Sequence, residues 1–162
     1  MTDRFATRAG EVELGFDPAD HTDAGVHFIG EIHTPWSVGD CPRNVRAARE
    51  SGKGAEIVLK PDFVPGLEGL EVGQAVILIY WMYAARRDLI RQSPKHVEET
   101  RGTFALRSPV RPNPLAMSAV RITGIDLETG RVEIDAIDCF DGTPLVDIKP
   151  WVETIDVPPV SC

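Results

Sequence analysis

The sequence predicts an all-β protein, a small barrel or sandwich with little helix, and three observations carry that prediction. Six or more short stretches either alternate apolar with polar residues or are rich in β-branched and aromatic ones. The 14 glycines and 13 prolines interrupt the chain too often for many helices of ordinary length. Neither a GxGxxG turn between strand and helix nor a GxxxxGK[ST] loop occurs, so a nucleotide-binding α/β sheet has no support. At 162 residues, 43% of them hydrophobic, the chain is long enough to bury one real core.

The elements follow in order. Val12, Leu14 and Phe16 alternate with Glu13 and Gly15, the pattern of a short strand. Val26 to His33 begins after Gly25, ends before Pro35 and is rich in β-formers, so it reads as the next strand. The turn Gly52 to Gly54 leads into the alternating Ala55 to Lys60, and Pro61, Pro65, Gly66 and Gly69 then punctuate a loop. Ala75 to Tyr83 is wholly apolar and of strand length, and its β-branched and aromatic content predicts a central strand. Ala84 to Gln92 is expected as a short helix stopped by Pro94, and Thr103 to Arg107 as a short strand. Pro109, Pro112 and Pro114 require an extended loop. Met117 to Ile125 and Arg131 to Ile137 form a hairpin around Leu127 to Gly130, and Leu145 to Ile148 is a last strand after the turn Asp141 to Pro144.

The formal charge is −8, which excludes a generally basic, nucleic-acid-coating surface. That charge is unevenly spread: residues 41–60 carry +3 and 86–121 carry +5, within an otherwise acidic chain. The first island is built from Arg43, Arg46, Arg49, Lys53 and Lys60, the second from Arg86, Arg87, Arg91, Lys95, Arg101, Arg107, Arg111 and Arg121. They are either anion contacts or solvated surface ion pairs. The longest apolar run is far short of the roughly 18 residues a membrane helix needs, and residues 1–25 are acidic with no apolar signal core, so a cytoplasmic protein is expected. Cys41, Cys139 and Cys162 have neither disulfide-framework nor metal-pair spacing and are expected to be reduced thiols. His21, His27, His33 and His96 have no metal-ligand spacing either, and no metal site is expected.

Two segments stand out: Arg101 to Ser118 (RGTFALRSPVRPNPLAMS) and Cys139 to Pro150 (CFDGTPLVDIKP). In the first, Arg107 to Pro114 fixes φ at three prolines and carries two guanidiniums and an amide on a stiff loop. Such a loop suits ligand binding, and it is equally a structural turn whose arginines pair locally.

These segments resemble the TsaA-like family, also called YaeB or TrmO. The resemblance extends to Phe28-Ile29-Gly30-Glu31-Ile32 with Thr34-Pro35-Trp36 (the family's IGxIxSPF), Pro42-Arg43-Asn44 (its PRQ), Gly66 to Leu70, Asp141 to Pro144 and Asp147 to Pro150. It implies a small β-barrel of the TsaA-like type over residues 26–162, preceded by an acidic extension, 1–25. It further implies S-adenosylmethionine as cofactor, threonylcarbamoyladenosine beside the tRNA anticodon as methyl acceptor, and a homodimer with the cofactor near the subunit interface.

By the same resemblance Arg43, Asn44, Tyr83, Ala84, Arg107, Leu115, Met117, Asp138, Asp141, Gly142 and Thr143 contact the cofactor. A guanidinium suits its carboxylate, carboxylates suit its ammonium and hydroxyls, and apolar walls suit its adenine. A urea-type nitrogen is a poor nucleophile until its proton leaves, so Asp138, Asp141 and Tyr83 are the candidates for general base. Arg86, Arg87, Arg91, Lys95 and Arg111 are the candidate tRNA contacts. The chain departs from the family pattern at Gly73-Gln74-Ala75, where many members keep FSH, and at Tyr83, where a His commonly ends the strand. A small-molecule acceptor and a non-catalytic, cofactor-binding regulator are the competing readings.

Overall fold

The computed structural model describes residues 6–94 and 99–159. Among the described residues nine strands run in chain order: β1 (Val12–Glu13), β2 (Gly30–His33), β3 (Ala55–Leu59), β4 (Ala75–Trp81), β5 (Leu89–Gln92), β6 (Arg101–Gly102), β7 (Leu115–Asp126), β8 (Arg131–Ile134) and β9 (Thr143–Pro150). Two short helices, α1 (Val45–Glu50) and α2 (Glu153–Asp156), complete the regular structure apart from three 3-10 turns among the described residues. The protein is mainly β, as its sequence predicts.

Contacts divide the chain into two compact units, one of Met1–Val26 with Met82–Leu115, the other of His27–Trp81 with Ala116–Cys162.

In the second unit six strands follow the order β2-β3-β8-β7-β4-β9, and β9 pairs back onto β2, so the sheet closes on itself. Alternation sets the faces. On β4, Val76, Leu78 and Tyr80 are buried while Ala75, Ile77, Ile79 and Trp81 between them are half-covered. Ile32, Ile57, Ile122, Val132, Ile134 and Leu145 join them in the interior. Each such aliphatic side chain contributes about 1.5–3 kcal/mol when fully buried. Gly30 lies where β2 crosses β3 too closely for a side chain, since a Cβ there would sit 2.4 Å from the Val58 carbonyl oxygen.

The first unit holds a small sheet, β1-β5-β6. Its centre is a buried polar knot: Thr103 Oγ1 donates to the Leu89 carbonyl at 2.8 Å and accepts from Gln92 Nε2 at 2.9 Å. Gln92 Nε2 also donates to the Val110 carbonyl at 2.6 Å, which ties the proline-rich loop to the sheet.

Several sequence expectations change. The helix expected over Ala84 to Gln92 is a turn followed by β5, because the chain from Leu89 pairs with β1 and β6 rather than with itself. The strand expected at Thr103 to Arg107 is a 3-10 turn, Thr103–Ala105, closed by the Leu106 amide on the Thr103 carbonyl. The strand expected over Val26 to His33 is confined to Gly30–His33. Helix α1 is unforeseen, and Asn44 caps it by accepting the Ala47 amide at 2.9 Å.

Candidate functional site

In the barrel unit the turn after β8 carries Asp138, Asp141, Gly142 and Thr143. The segment following β2 clamps it. Thr34 Oγ1 donates to the Cys139 carbonyl at 3.0 Å, and the Trp36 indole donates to the Ile137 carbonyl at 3.0 Å. The Asp141 amide donates to the Trp36 carbonyl at 2.9 Å, and the Gly142 amide to the Ile32 carbonyl at 3.0 Å. Gly142 takes the left-handed conformation, φ +73°, that lets the chain reverse into β9. Thr143 is buried and donates its hydroxyl to the Phe140 carbonyl at 2.6 Å, so its side chain secures the turn.

The Asp141 carboxylate is exposed and held on one side only. Its Oδ1 accepts the Thr34 amide at 3.1 Å and lies 3.2 Å from His33 Nδ1. Its other oxygen has no hydrogen-bond partner among the described residues. Asp138 is half-buried, and the Tyr80 hydroxyl reaches it at 3.4 Å while lying 3.0 Å from Ser118 Oγ. Burial first, then the Asp138 charge, raises the Tyr80 phenol well above its ordinary pKa, so this phenol keeps its proton. The same two causes raise the Cys41 thiol to about 11. The Cys139 thiol is pushed up to about 12, mainly by burial. Neither thiol is an activated nucleophile. Cys41, on which Asp138 acts, opens the Cys41 to Asn44 segment that leads into α1.

Arg43 is exposed at the start of that segment, and Asn44 Oδ1 serves as the cap of α1. Met117 lies on the outer face of β7, 49% exposed, whereas Ser118 next to it faces the interior with Tyr80. Tyr80 is the residue that sequence reasoning missed. Inside an apolar run it reads as core, and only its distant neighbours Ser118 and Asp138 reveal a polar function.

In the other unit, Tyr83 and Ala84 are the middle of a tight turn, closed by the Ala85 amide on the Met82 carbonyl and anchored by the Met82 amide on the Pro114 carbonyl at 2.9 Å. Leu115 follows directly. Arg107 is exposed on the loop whose shape Arg111 and Arg87 maintain. Arg111 donates to the Ser108 carbonyl at 2.9 Å and the Leu106 carbonyl at 2.5 Å, and Arg87 to the Pro112 carbonyl at 2.5 Å and Asn113 Oδ1 at 3.3 Å.

These contacts involve three of the expected tRNA contacts. Arg111 and Arg87 brace the loop, and Arg86 is locked between Asp88 and Glu13 at 2.7 and 2.8 Å with only 15% of its side chain exposed. Each of these guanidiniums has carboxylate or loop-carbonyl partners within the chain. Arg91 is exposed, and its guanidinium donates to Thr100 Oγ1 at 2.9 Å. Lys95 lies outside the described residues.

A groove of about 480 Å³, lined in part by Ile29, Leu59, Phe63, Leu67, Ile148 and Pro150, lies at the other end of the barrel strands from the Asp138–Thr143 turn. Its lining takes in Gly66 to Leu70, Gln74 and Asp147, from segments that carry the family comparison in sequence, and none of the residues expected to contact the cofactor. No group of His, Cys, Asp and Glu among the described residues could hold a metal ion. None of the described helices is long and apolar enough to cross a membrane.

Fold and site together define a small closed-sheet domain with an exposed carboxylate turn clamped by the segment after its first barrel strand. Residues 31–157 match the profile of the tRNA-methyltransferase O N-terminal domain, and the chain belongs to that family. It is similar to the probable S-adenosyl-L-methionine-binding protein VirR of Rhizobium radiobacter, 34% identical over 146 residues, 90% of this chain and 81% of the relative. A probable S-adenosyl-L-methionine-binding protein of Methanothermobacter thermautotrophicus is 32% identical over 130 residues, 79% of this chain and 90% of the relative. The crystal structure of TrmO from Pseudomonas aeruginosa superimposes with a TM-score of 0.66 at 30% identity. That match covers 87% of this chain and 62% of the solved one, so this chain spans less than two thirds of that structure.

Proposed function

We propose that this protein is an S-adenosylmethionine-dependent methyltransferase that acts on tRNA, with threonylcarbamoyladenosine beside the anticodon as acceptor. The observation that carries the reading is the clamped turn with two carboxylates, Asp138 and Asp141, in a chain of this family. Its donor set fits the cofactor. Asp141 offers an unpartnered carboxylate oxygen to a hydroxyl or ammonium group, and Arg43 offers a guanidinium to a carboxylate. Roles for Tyr83, Ala84, Arg107 and Leu115 rest on the family resemblance alone.

When bound, the cofactor supplies a methyl group on a sulfonium. The chain's own work is alignment, because in-line displacement gains most from holding donor and acceptor in register. Asp138, oriented by the Tyr80 hydroxyl, is suited to take the proton from the acceptor nitrogen. Asp141 is suited to hold the donor. The raised phenol of Tyr80 acts as a hydrogen-bond donor and not as a base.

A homodimer belongs to this reading, and Met117, apolar and exposed on the outer face of β7, is a residue such an interface would cover. A tRNA substrate also implies a cytoplasmic protein. The internal engagement of Arg86, Arg87 and Arg111 favours a second reading, a small-molecule acceptor, because three expected phosphate contacts already have partners within the chain.

The test is incubation with methyl-labelled S-adenosylmethionine and tRNA carrying threonylcarbamoyladenosine, followed by mass spectrometry of the nucleosides. Methylated threonylcarbamoyladenosine supports the proposal. Cofactor binding with unlabelled tRNA overturns the tRNA assignment, and absence of cofactor binding overturns the reading entirely.

A further inference from the structure

We infer that His33 is a positioning residue for the donor-holding carboxylate of Asp141, an inference that rests on the cofactor-binding reading above. His33 ends β2, and Asp141 sits 108 residues later in the turn that β2 and its following segment clamp. The imidazole Nδ1 lies 3.2 Å from Asp141 Oδ1, the oxygen that also accepts the Thr34 amide at 3.1 Å. A carboxylate oxygen only accepts, so Nδ1 carries the proton and donates.

The two donors hold Asp141 from one side. They leave Oδ2 as the free acceptor of a carboxylate that is 61% exposed. Without the imidazole, Oδ1 keeps a single backbone donor and the side chain regains rotational freedom about χ1 and χ2. A ligand would then have to order it on binding.

The surroundings of His33 support this role. Its Nε2 is 4.0 Å from Glu31 Oε2, within ion-pair reach but beyond hydrogen-bond distance, so Asp141 is the nearer of the two carboxylates that face the ring and the one on Nδ1. Glu56, paired with His33 across β3, is engaged by Arg131 at 2.6 and 3.0 Å. The ring is 43% exposed and contributes little to the core, so its geometry is unexplained by packing.

The experiment titrates the full chain with S-adenosylmethionine by calorimetry, comparing wild type with H33A, H33N, H33Q, D141A and the H33A/D141A double variant. Circular dichroism checks the fold of each. Asparagine can place an amide N–H near the Nδ1 position, and glutamine places it one bond further out. The expected result is about tenfold weaker binding for H33A and H33Q, with H33N within about threefold of wild type. In the D141A background the further loss from H33A should vanish. In turnover assays KM for the cofactor should rise while kcat at saturation holds.

Binding by H33N as weak as that of H33A overturns the proposal, as does an equal H33A loss with and without Asp141. Wild type that binds while every His33 variant matches it overturns the proposal alone. Wild type that does not bind S-adenosylmethionine overturns the cofactor reading together with it. Should H33A fail to fold, H33Q against H33N carries the same comparison.

Discussion

The hydroxyl of Tyr80 lies 3.4 Å from the Asp138 carboxylate, so a side chain from the apolar strand β4 reaches the turn that carries the candidate site. Removing that hydroxyl with Tyr80→Phe leaves the ring packing intact and deprives Asp138 and Ser118 of a partner. The expected loss is about 1–2 kcal/mol of stability, read as a lower urea midpoint at unchanged slope. Methyl transfer should fall as well, since Asp138 loses the group that orients it. A variant as stable and as fast as wild type would show that the contact holds nothing.

The buried thiol of Cys139 sets an alkaline limit. Its pKa is raised from 9.0 to about 12, so between those values the unfolded chain releases a proton that the folded chain retains. Folding stability is therefore complete below about pH 9 and declines as pH rises toward about 12. Each such group contributes a slope of up to about 1.4 kcal/mol per pH unit. Tyr80 and Cys41, raised for the same reason, act in the same direction. Cys139→Ala should flatten the limb, measured as denaturation midpoints at stepped pH. An unchanged slope would mean that the thiol titrates alike in both states.

Arg86 and Arg91 separate a structural guanidinium from an exposed one. Arg86→Ala strands Asp88 and Glu13 beside one another and should lower stability by about 1–3 kcal/mol, with little effect on any tRNA affinity beyond that. Arg91→Ala should leave stability almost unchanged. If Arg91 meets a phosphate, it should also reduce the slope of log affinity against log salt by about 1. Filter binding across salt concentrations checks both. An Arg86 variant of wild-type stability would contradict the locked ion pairs.

These contrasts show what a sequence makes legible here. The strands Ala55–Leu59 and Ala75–Trp81 were readable because alternation and β-branched content act locally. The stiffness of the loop from Arg107 to Pro114 was readable because each proline fixes its own φ. Which arginines brace that loop was not, since their acceptors are mostly backbone carbonyls, which no residue letter marks. The expected helix over Ala84 to Gln92 failed because pairing with Val12–Glu13 and Arg101–Gly102 is non-local. The carboxylate turn was visible as Asp-Gly-Thr-Pro, whereas its clamp from His33 to Trp36 exists only once the sheet closes.

Asn44 is an expected cofactor contact, and its side-chain oxygen caps α1. Asn44→Ala should lower stability by about 1 kcal/mol, and Asn44→Asp should retain the cap and the stability. Cofactor titration of the pair distinguishes the two roles. If the cap is the whole role, the Asp variant binds S-adenosylmethionine as wild type does. If the side-chain amide donates to the ligand, the Asp variant is stable and binds weakly.

Gly30 offers the sharpest test of how the barrel positions its site. It faces Leu59 of β3 and Leu145 of β9, so β2 is hemmed in by a neighbour on each side at this residue. An alanine Cβ would lie 2.4 Å from the Val58 carbonyl oxygen and 2.9 Å from Leu59 Cα, both backbone atoms that cannot swing aside. Relief requires β2 to move away from β3, and β2 leads directly into His33 and Thr34, the two donors that hold Asp141. Gly30→Ala should therefore cost about 1–3 kcal/mol and also weaken cofactor binding, although residue 30 touches no ligand. Gly66→Ala, where no atom lies within 4 Å of the added carbon, is the control and should be close to neutral in both measurements. A Gly30 variant that loses stability yet binds as wild type would show that the clamp on Asp141 is independent of where β2 lies.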